Sequence, residues 1–292
     1  MAKARALDKR RKSIRNIRKI TRTMELIATA RFKKAMDRAH AATAYTRRIT
    51  QLVADLANSG LEVKHSLLEG REKVERAMLL VLTANRGLCG GYNGNVQRAG
   101  FARYAELTSQ VAQVRMEISG KRGLAAARFR QLPVAESFTH FDDKPGFDQV
   151  EVLANRFLHG YAAGTIDRLD VAYMRFENVS RQTVAVETLL PMGALADSQP
   201  APGSRQLQYE FLPSAESILE EVVPTSFKIK LFKCFLDAAV SEQVARMVAM
   251  KSATKSAGDR IKELSRKYNR ARQSQITGEI MEIIGGVEAL KK

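Results

Sequence analysis

Apolar residues recur every three or four positions through the first 58 residues of the chain. The stripe consists of Leu7, Ile14, Ile17, Met24, Tyr45, Ile49, Leu52 and Leu56, with Thr21, Ala28, Ala35 and Ala42 on the turns between them. This spacing is typical of one face of an α-helix, and neither Pro nor Gly occurs before Gly60. The pattern predicts one helix of about 50 residues, which would need an equally long partner to cover its apolar face.

The last part of the chain has the same spacing. Its stripe consists of Met247, Met250, Thr254, Ala257, Ile261, Leu264, Tyr268 and Ala271, and then shifts by one residue to Ile276, Ile280, Ile283 and Val287. We interpret Pro224 as a break and predict a second helix of about 60 residues after it, because no later Pro occurs. Alanines on both stripes favour a close antiparallel crossing of the two helices.

The middle of the chain has a different pattern. Residues 77–83, 111–119, 168–177 and 183–190 are predicted as strands, and residues 95–107, 121–131 and 147–162 as amphipathic helices. Strands that alternate with helices predict an α/β domain with a mainly parallel βαβ sheet. We therefore expect a long antiparallel coiled coil with a βαβ domain inserted between its helices. The predicted boundaries are 1–58 and 225–292 for the two helices, 75–195 for the α/β domain, and 196–224 for a loop and short helix.

The charge of the chain is concentrated at its two ends. The 292 residues contain 48 Lys and Arg against 31 Asp and Glu, a net charge of +17. Residues 1–50 carry +13, residues 241–292 carry +5, and the centre carries −1. Such basic ends could face nucleic acid, acidic proteins or anionic lipid, although few stacking aromatics accompany them. No apolar run is long enough to cross a bilayer, so any membrane association is expected to be peripheral.

Nothing in the central pattern assembles a recognisable catalytic centre. The glycine cluster at 85–94 follows a predicted strand, but it lacks the GxGxxG and P-loop spacings, so we interpret it as a tight turn and keep nucleotide binding as the alternative. Cys89 has no nearby His in sequence, and His140 with Asp142 and Asp143 lacks typical metal-ligand spacing. Cys89 and Cys234 are expected to be free thiols. No catalytic, cofactor or metal site is therefore expected.

The C-terminal segment carries polar groups around an apolar stripe that outlasts its partner helix. These groups are Arg272, Gln273, Glu279 and Glu282, and they accompany Thr277 and Gly278, which are poor residues for a helix interior. The combination indicates a helix end that docks onto another molecule.

Five stretches together resemble the gamma subunit of F-type ATP synthases. They lie at 20–25 (ITRTME), 86–93 (RGLCGGYN), 241–251 (SEQVARMVAMK), 268–273 (YNRARQ) and 276–283 (ITGEIMEI). The resemblance spans the whole chain. One departure is Ala84-Asn85, where the family usually has Ser-Asp.

The resemblance implies a non-catalytic central rotor shaft that couples proton flow through a membrane ring to ATP synthesis. Implied partners are the alpha and beta subunits of the catalytic head, the epsilon subunit and the c-subunit ring, with no nucleic acid and no cofactor. The implied location is peripheral, at the cytoplasmic face of the bacterial plasma membrane, where the complex provides the membrane association.

The same resemblance implies contacts for individual residues. Arg272 and Gln273 match the pair that contacts the catch loop of beta, and Met24 matches a position near an acidic loop of beta. Thr277, Glu279 and Glu282 match the signature that faces the head, and Tyr209 and Glu210 fall near the segment that rests on the c ring. A basic coiled-coil factor associated with nucleic acid and a nucleotide-dependent enzyme that uses the glycine cluster are the alternatives.

Overall fold

A computed structural model of the protein describes residues 2–57, 65–71, 73–141, 144–192 and 215–290. Within α1 and α5 it describes the side chains of residues 4–39 and 220–290. The helices are α1 (Ala2–Ala57), α2 (Tyr92–Gln110), α3 (Lys121–Phe129), α4 (Phe147–Ala162) and α5 (Ala215–Leu290). The strands are β1 (Arg76–Leu82), β2 (Gln113–Ser119), β3 (Glu136–Phe138), β4 (Arg168–Asn178) and β5 (Arg181–Leu190).

The chain packs as two compact units. The first, which we call the terminal unit, consists of Met1–Ala28 and Arg246–Lys292, and the second, the central unit, consists of Thr29–Ala245. The terminal unit is formed by the first half of α1 and the last part of α5, as the two apolar stripes predict.

The two helices of the terminal unit run antiparallel. The Thr254 hydroxyl donates a hydrogen bond of 2.9 Å to the Thr21 hydroxyl, and the Arg11 guanidinium lies 4.6 Å from the ring centre of Tyr268. Residue numbers therefore fall along α1 as they rise along α5. Ala28 and Ala257 are buried, which is consistent with close approach of the backbones. The predicted long antiparallel helix pair is confirmed.

The central unit contains a five-stranded sheet in the order β3-β2-β1-β4-β5. β1 pairs in parallel with β2 and β4, β2 pairs in parallel with β3, and only the β4–β5 pair is antiparallel. The predicted βαβ domain is therefore confirmed. Strand β3 was not predicted, because a three-residue strand is too short to show alternation.

Helices cover both faces of the sheet. Met78, Leu80 and Leu82 of β1 pack with residues of α4 and α5, whereas Leu79 and Val81 pack with residues of α2 and α3. Because both faces of β1 are buried, it is apolar at nearly every position, as parallel strands usually are. A smaller cluster joins Ala35 and Ala39 of α1 to Leu236, Val240 and Val244 of α5.

The predicted break at Pro224 is wrong. Helix α5 begins at Ala215 and passes through Pro224, so it starts ten residues earlier than the predicted boundary at 225. Proline removes the hydrogen bond to the Glu220 carbonyl, but Val223 and Phe227 on either side are fully buried in the core of the central unit. Their burial offsets the lost bond, and tertiary packing overrides the local signal. The loop expected before this helix lies at residues outside the described ranges.

Candidate functional site

Five of the predicted contact residues lie close together at one end of the terminal unit. Arg272, Gln273, Thr277, Glu279 and Glu282 are all on α5 and all exposed. They lie within a span of 11 consecutive positions of one helix, which corresponds to about 15 Å along its axis.

The structure does not bring the other predicted residues to this group. Met24 is half-buried on α1, one turn from Thr21, whose partner is Thr254. Thr254 precedes Arg272 by 18 positions, which corresponds to about 27 Å along α5. Met24 therefore belongs to a different level of the terminal unit. Tyr209 and Glu210 lie outside the described residues.

A row of large apolar side chains on α5 begins within the polar group and continues beyond it. Its members, between 43% and 89% exposed, are Ile276, Ile280, Met281, Ile283, Ile284, Val287 and Leu290. The first of them lies beside Ala4 and Arg5 of α1, and every later residue of α5 up to Leu290 is exposed. A contiguous exposed apolar surface of this kind marks a protein interaction site.

An open groove beside this row is basic. Its lining consists of Ala4, Arg5, Asp8, Lys9, Lys12, Tyr268, Arg272, Gln275 and Ile276. Asp8 is already paired, because Arg11 and Lys12 contact its carboxylate at 2.7 and 3.1 Å. Hydrogen bonds from Lys12 and Arg11 hold the pKa of Asp8 below its ordinary value. The remaining cations give the groove a positive charge that complements an acidic segment of a partner.

Two side-chain hydrogen bonds form within this end of α5. The Thr277 hydroxyl donates to the Gln273 carbonyl at 3.0 Å, and the Gln275 amide donates to the Glu279 carboxylate at 2.8 Å. Both bonds join residues four apart on the same helix face. They hold these side chains along the helix surface beside the apolar row.

Gly278 lies in the middle of this surface, and a Cβ atom built there meets no atom within 4 Å. Replacement of Gly278 by Ala should therefore stabilise α5 locally by about 1 kcal/mol, because Ala is the better helix former. The measurement is amide hydrogen exchange of the isolated chain, which should slow about fivefold around this position. Gly285→Ala, closer to the last described residue of α5, is the control and should have a smaller effect; unchanged exchange in Gly278→Ala would contradict the prediction.

The glycine cluster in the central unit forms a tight turn between β1 and α2, as predicted. Gly90 has a φ of 57°, and the Asn93 side chain accepts a hydrogen bond of 2.9 Å from the Ala84 amide. Leu88 has a φ of 63°, a left-handed conformation that costs a non-glycine residue about 1–2 kcal/mol.

The turn also explains the departure at Asn85. Its side-chain oxygen accepts a hydrogen bond from the Lys121 amide, and its nitrogen donates to the carbonyl oxygens of Thr139 and Phe141. A carboxylate could not donate the last two bonds, so Asn joins three segments that Asp could not join in this way. This role could not be predicted from the sequence, because it depends on contacts between distant parts of the chain.

The chemistry weighed for the central unit does not converge on one centre. Both cysteines are free and buried, and burial raises the pKa of the Cys234 thiol to about 12. Asp142 and Asp143, the proposed partners of His140, lie outside the described residues. Within the described part of the chain, no group of three or more His, Cys, Asp or Glu residues is arranged to hold a metal ion.

Comparison with known proteins identifies the family. The sequence profile of the family described as ATP synthase matches residues 3–290. An ATP synthase gamma chain of Rhodopirellula baltica is 62% identical over 295 residues, which cover the whole of both chains. The chain belongs to the ATP synthase gamma chain family. Gamma chains of Leptospira biflexa and Saccharopolyspora erythraea are 36% and 38% identical and cover 99% of the chain, with 100% and 98% of their own lengths matched.

Solved structures agree with this assignment at the level of the fold. A chain of the Euglena gracilis mitochondrial ATP synthase rotor superposes with a TM-score of 0.63 at 17% identity, covering 94% of this chain and 99% of its own. A chain of the OSCP/F1/c-ring structure from the same organism gives 0.67 at 18% identity, covering 99% and 95%. The family resemblance is therefore confirmed. A gamma chain is a non-catalytic subunit of ATP synthase, and the comparisons do not support the nucleic-acid alternative.

Proposed function

We propose that the chain is the central rotor shaft of an F-type ATP synthase, which couples proton translocation through a membrane ring to ATP synthesis in the catalytic head. The observation that carries this proposal is the end of the terminal unit. There, among the described residues, α5 continues past its contacts with the start of α1 and carries a row of exposed apolar side chains, in a chain that matches gamma chains over its full length.

The proposed mechanism depends on the different side chains that this end of the terminal unit presents around the axis of α5. A rotating shaft with identical sides would contact every catalytic site equally, whereas α5 presents apolar side chains, cations and carboxylates at different positions around its axis. Each catalytic site therefore meets a different surface at each rotational position. A ligand affinity changes only when contacts differ between states, and these differing contacts cycle the three sites through different affinities.

The proposed partners are the alpha and beta subunits of the head, the epsilon subunit and the c-subunit ring. Structures of related fold are described as a rotor and as an assembly of OSCP, F1 and c-ring, which supports placement in such a complex. None of the described helices is long and apolar enough to cross a membrane. The proposed location is the cytoplasmic face of the bacterial plasma membrane, with attachment through the complex, since the relatives are bacterial gamma chains.

Within the head, we assign Arg272 and Gln273 to the catch loop of beta, and Thr277, Glu279 and Glu282 to the surrounding surface. The exposure of all five and the positive charge of the groove beside Arg272 support this assignment. Met24 would contact beta at a separate level, farther from Arg272 than Thr254, which is about 27 Å away along α5. Tyr209 and Glu210 are proposed to contact the c ring.

The double replacement Arg272→Ala with Gln273→Ala tests this function. It should lower proton-driven ATP synthesis of the assembled complex about tenfold, because it removes a cation and an amide that engage the catch loop. Synthesis is measured in inverted membrane vesicles that contain equal amounts of assembled complex. Lys255→Ala with Ser256→Ala, two exposed residues of α5 away from the proposed contact, is the matched control and should retain synthesis. Full synthesis by the first double variant would exclude these two residues from the mechanism.

A further inference from the structure

The contact between the two helices of the terminal unit buries few large side chains. Among the described side chains of this unit, the buried apolar ones are Ala28, Met250 and Ala257. Alanine is a small knob that interlocks weakly with a facing helix, and α5 continues from Ala257 into Gly258, which has no side chain. Displacement of one helix by one turn along the other would therefore meet little steric resistance, so apolar packing alone does not select one register.

Two threonines face each other within this contact of small residues. The Thr254 hydroxyl donates to the Thr21 hydroxyl on the facing helix at 2.9 Å, and Thr21 is 9% exposed. The Thr21 hydroxyl uses its own proton to bond the Arg18 carbonyl at 3.1 Å, so its oxygen can accept the proton of Thr254. The two hydroxyls thus form a directional link across the helix pair.

This link depends on the register of the helices. The neighbouring positions of the α5 stripe are Met250 and Ala257, and neither side chain has a hydroxyl. In a shifted register the Thr254 proton would go to the Met250 carbonyl, which lies 2.8 Å from its oxygen, and the buried Thr21 oxygen would lose its donor. Loss of a partner at a buried polar atom costs free energy, whereas the contacts of the small apolar residues would change little. A buried polar layer of this kind specifies register in coiled coils.

The register in turn decides which cations of α1 lie beside Arg272. In the observed register, Arg5 and Lys9 line the same groove as Arg272. Displacement by one helical turn would move both α1 cations by about 5 Å along that groove. The attraction between the groove and an acidic segment depends on where these charges lie. Because Thr254 is about 27 Å from Arg272 along α5, it can affect the groove only through the register.

We propose that the hydroxyl pair of Thr21 and Thr254 fixes the register of α1 against α5 and thereby positions Arg5 and Lys9 beside Arg272 for contact with the catalytic head. Both threonines are positioning residues, because neither lines the groove. The contact with the head rests on the proposed function, whereas the register is a property of the chain alone. The pair selects one arrangement without adding stability, since two valines of the same shape would fill the same space.

The first experiment measures the register in the isolated full-length chain, by double electron–electron resonance between spin labels at Asn16→Cys and Asn269→Cys. Both positions are exposed, and they lie about 15 Å apart along the helix axis. The two native cysteines are buried and are replaced by Ala in every sample. With both threonines present, one narrow distance is expected. Thr21→Val with Thr254→Val should add a second population displaced by up to about 5 Å, one helical turn.

Two further variants separate the hydroxyl groups from stability. Thr21→Ser with Thr254→Ser keeps both hydroxyls and should keep the single distance, although it removes two methyl groups. Thr23→Val is the matched control, because Thr23 is exposed and its hydroxyl donates to the Lys19 carbonyl of its own helix at 3.0 Å. The double valine variant should have the Tm of the wild type or a higher one. A single distance in the double valine variant, or a second population in the double serine variant, would overturn the proposal.

The second experiment measures coupling in inverted membrane vesicles that contain equal amounts of assembled ATP synthase. The double valine variant should lower the ratio of proton-driven ATP synthesis to ATP hydrolysis about threefold, because only the fraction of chains in the native register presents the cations correctly. The double serine variant and Thr23→Val should keep the wild-type ratio. An unchanged ratio in the double valine variant would overturn the positioning role. If the wild-type chain supports no synthesis, the proposed function fails, and the distances in the isolated chain still decide whether the hydroxyl pair fixes the register.

Discussion

Replacement of Gly120 by Ala should lower the free energy of unfolding of the central unit by about 4 kcal/mol, the sum of an unfavourable backbone conformation and overpacking. Gly120 has a φ of 99°, a region that L-residues rarely adopt, and it lies between β2 and α3. A Cβ atom there would be 2.1 Å from the Thr83 carbonyl oxygen, which is backbone and cannot rotate away. The measurement is urea unfolding of the isolated chain, followed by circular dichroism.

Gly94→Ala is the matched control, because it makes the same chemical change in the same unit where a Cβ has open space. Its unfolding midpoint should not fall. If Gly120→Ala unfolds at the wild-type urea concentration, the close packing of this turn against Thr83 is wrong. The result would also contradict the geometry of the turn between β2 and α3, because in that geometry only glycine fits at position 120.

Replacement of Asp167 by Ala should lower the free energy of unfolding of the central unit by about 3 kcal/mol, because it leaves two partly buried backbone amides without their acceptor. The Asp167 carboxylate is buried beside the first residues of β1 and β4 and accepts hydrogen bonds from the amides of Glu75 and Arg76 at 3.1 and 2.9 Å. Arg71 approaches it at 3.0 Å, and its guanidinium also donates to the Tyr161 carbonyl. One carboxylate thus joins the start of β1 to the segment before it.

The pH dependence of this contribution has a definite sign. Burial raises the pKa of Asp167, but hydrogen bonds from the amides of Arg76 and Glu75 and the Arg76 side chain outweigh it, so the pKa lies below its ordinary value. The folded state therefore binds fewer protons than the unfolded state. The stabilisation is present above the unfolded pKa of about 4 and is lost as pH falls through the folded pKa.

Urea unfolding between pH 7 and pH 2.5 measures this effect. The difference between wild type and Asp167→Ala should shrink towards the acid end, and Asp167→Asn should be less destabilised because its amide oxygen can still accept from the two backbone amides. Asp148→Ala, an exposed carboxylate in the first turn of α4, is the control and should cost less than about 1 kcal/mol. A difference that stays constant with pH would show that ionisation of Asp167 does not contribute.

The elements that the sequence analysis predicted well are those in which many residues repeat one simple period. The stripe from Leu7 to Leu56 and the stripe from Met247 to Val287 extend over many turns, so their helices could be predicted from spacing alone. The strand that became β1 is apolar at successive positions, and it was recognised for the same reason. By contrast, β3 is too short for any period, and Pro224 carries a local signal that the burial of Val223 and Phe227 overrides.

In the candidate site, too, some features could be predicted from residue spacing and others depend on tertiary contacts. The position of Arg272, Gln273, Thr277, Glu279 and Glu282 on one helix could be inferred from spacing, because they are close in sequence. The cations that α1 adds to the groove, Arg5 and Lys9, could not be assigned to it, because the register between α1 and α5 depends on contacts such as Thr21 with Thr254. The left-handed backbone at Leu88 could not be predicted either, because leucine rarely adopts this conformation.

By itself, the sequence determined two long amphipathic helices, an inserted βαβ domain, basic ends and membership of a family, because these properties reside in local periods, composition and ordered motifs. The tertiary structure alone decided the register of the helix pair, the strand order, the passage of α5 through Pro224 and the left-handed backbone at Leu88. Each of these features is stabilised by contacts between residues that are far apart in the chain. The pattern of residues within one segment does not indicate which distant residues will make those contacts.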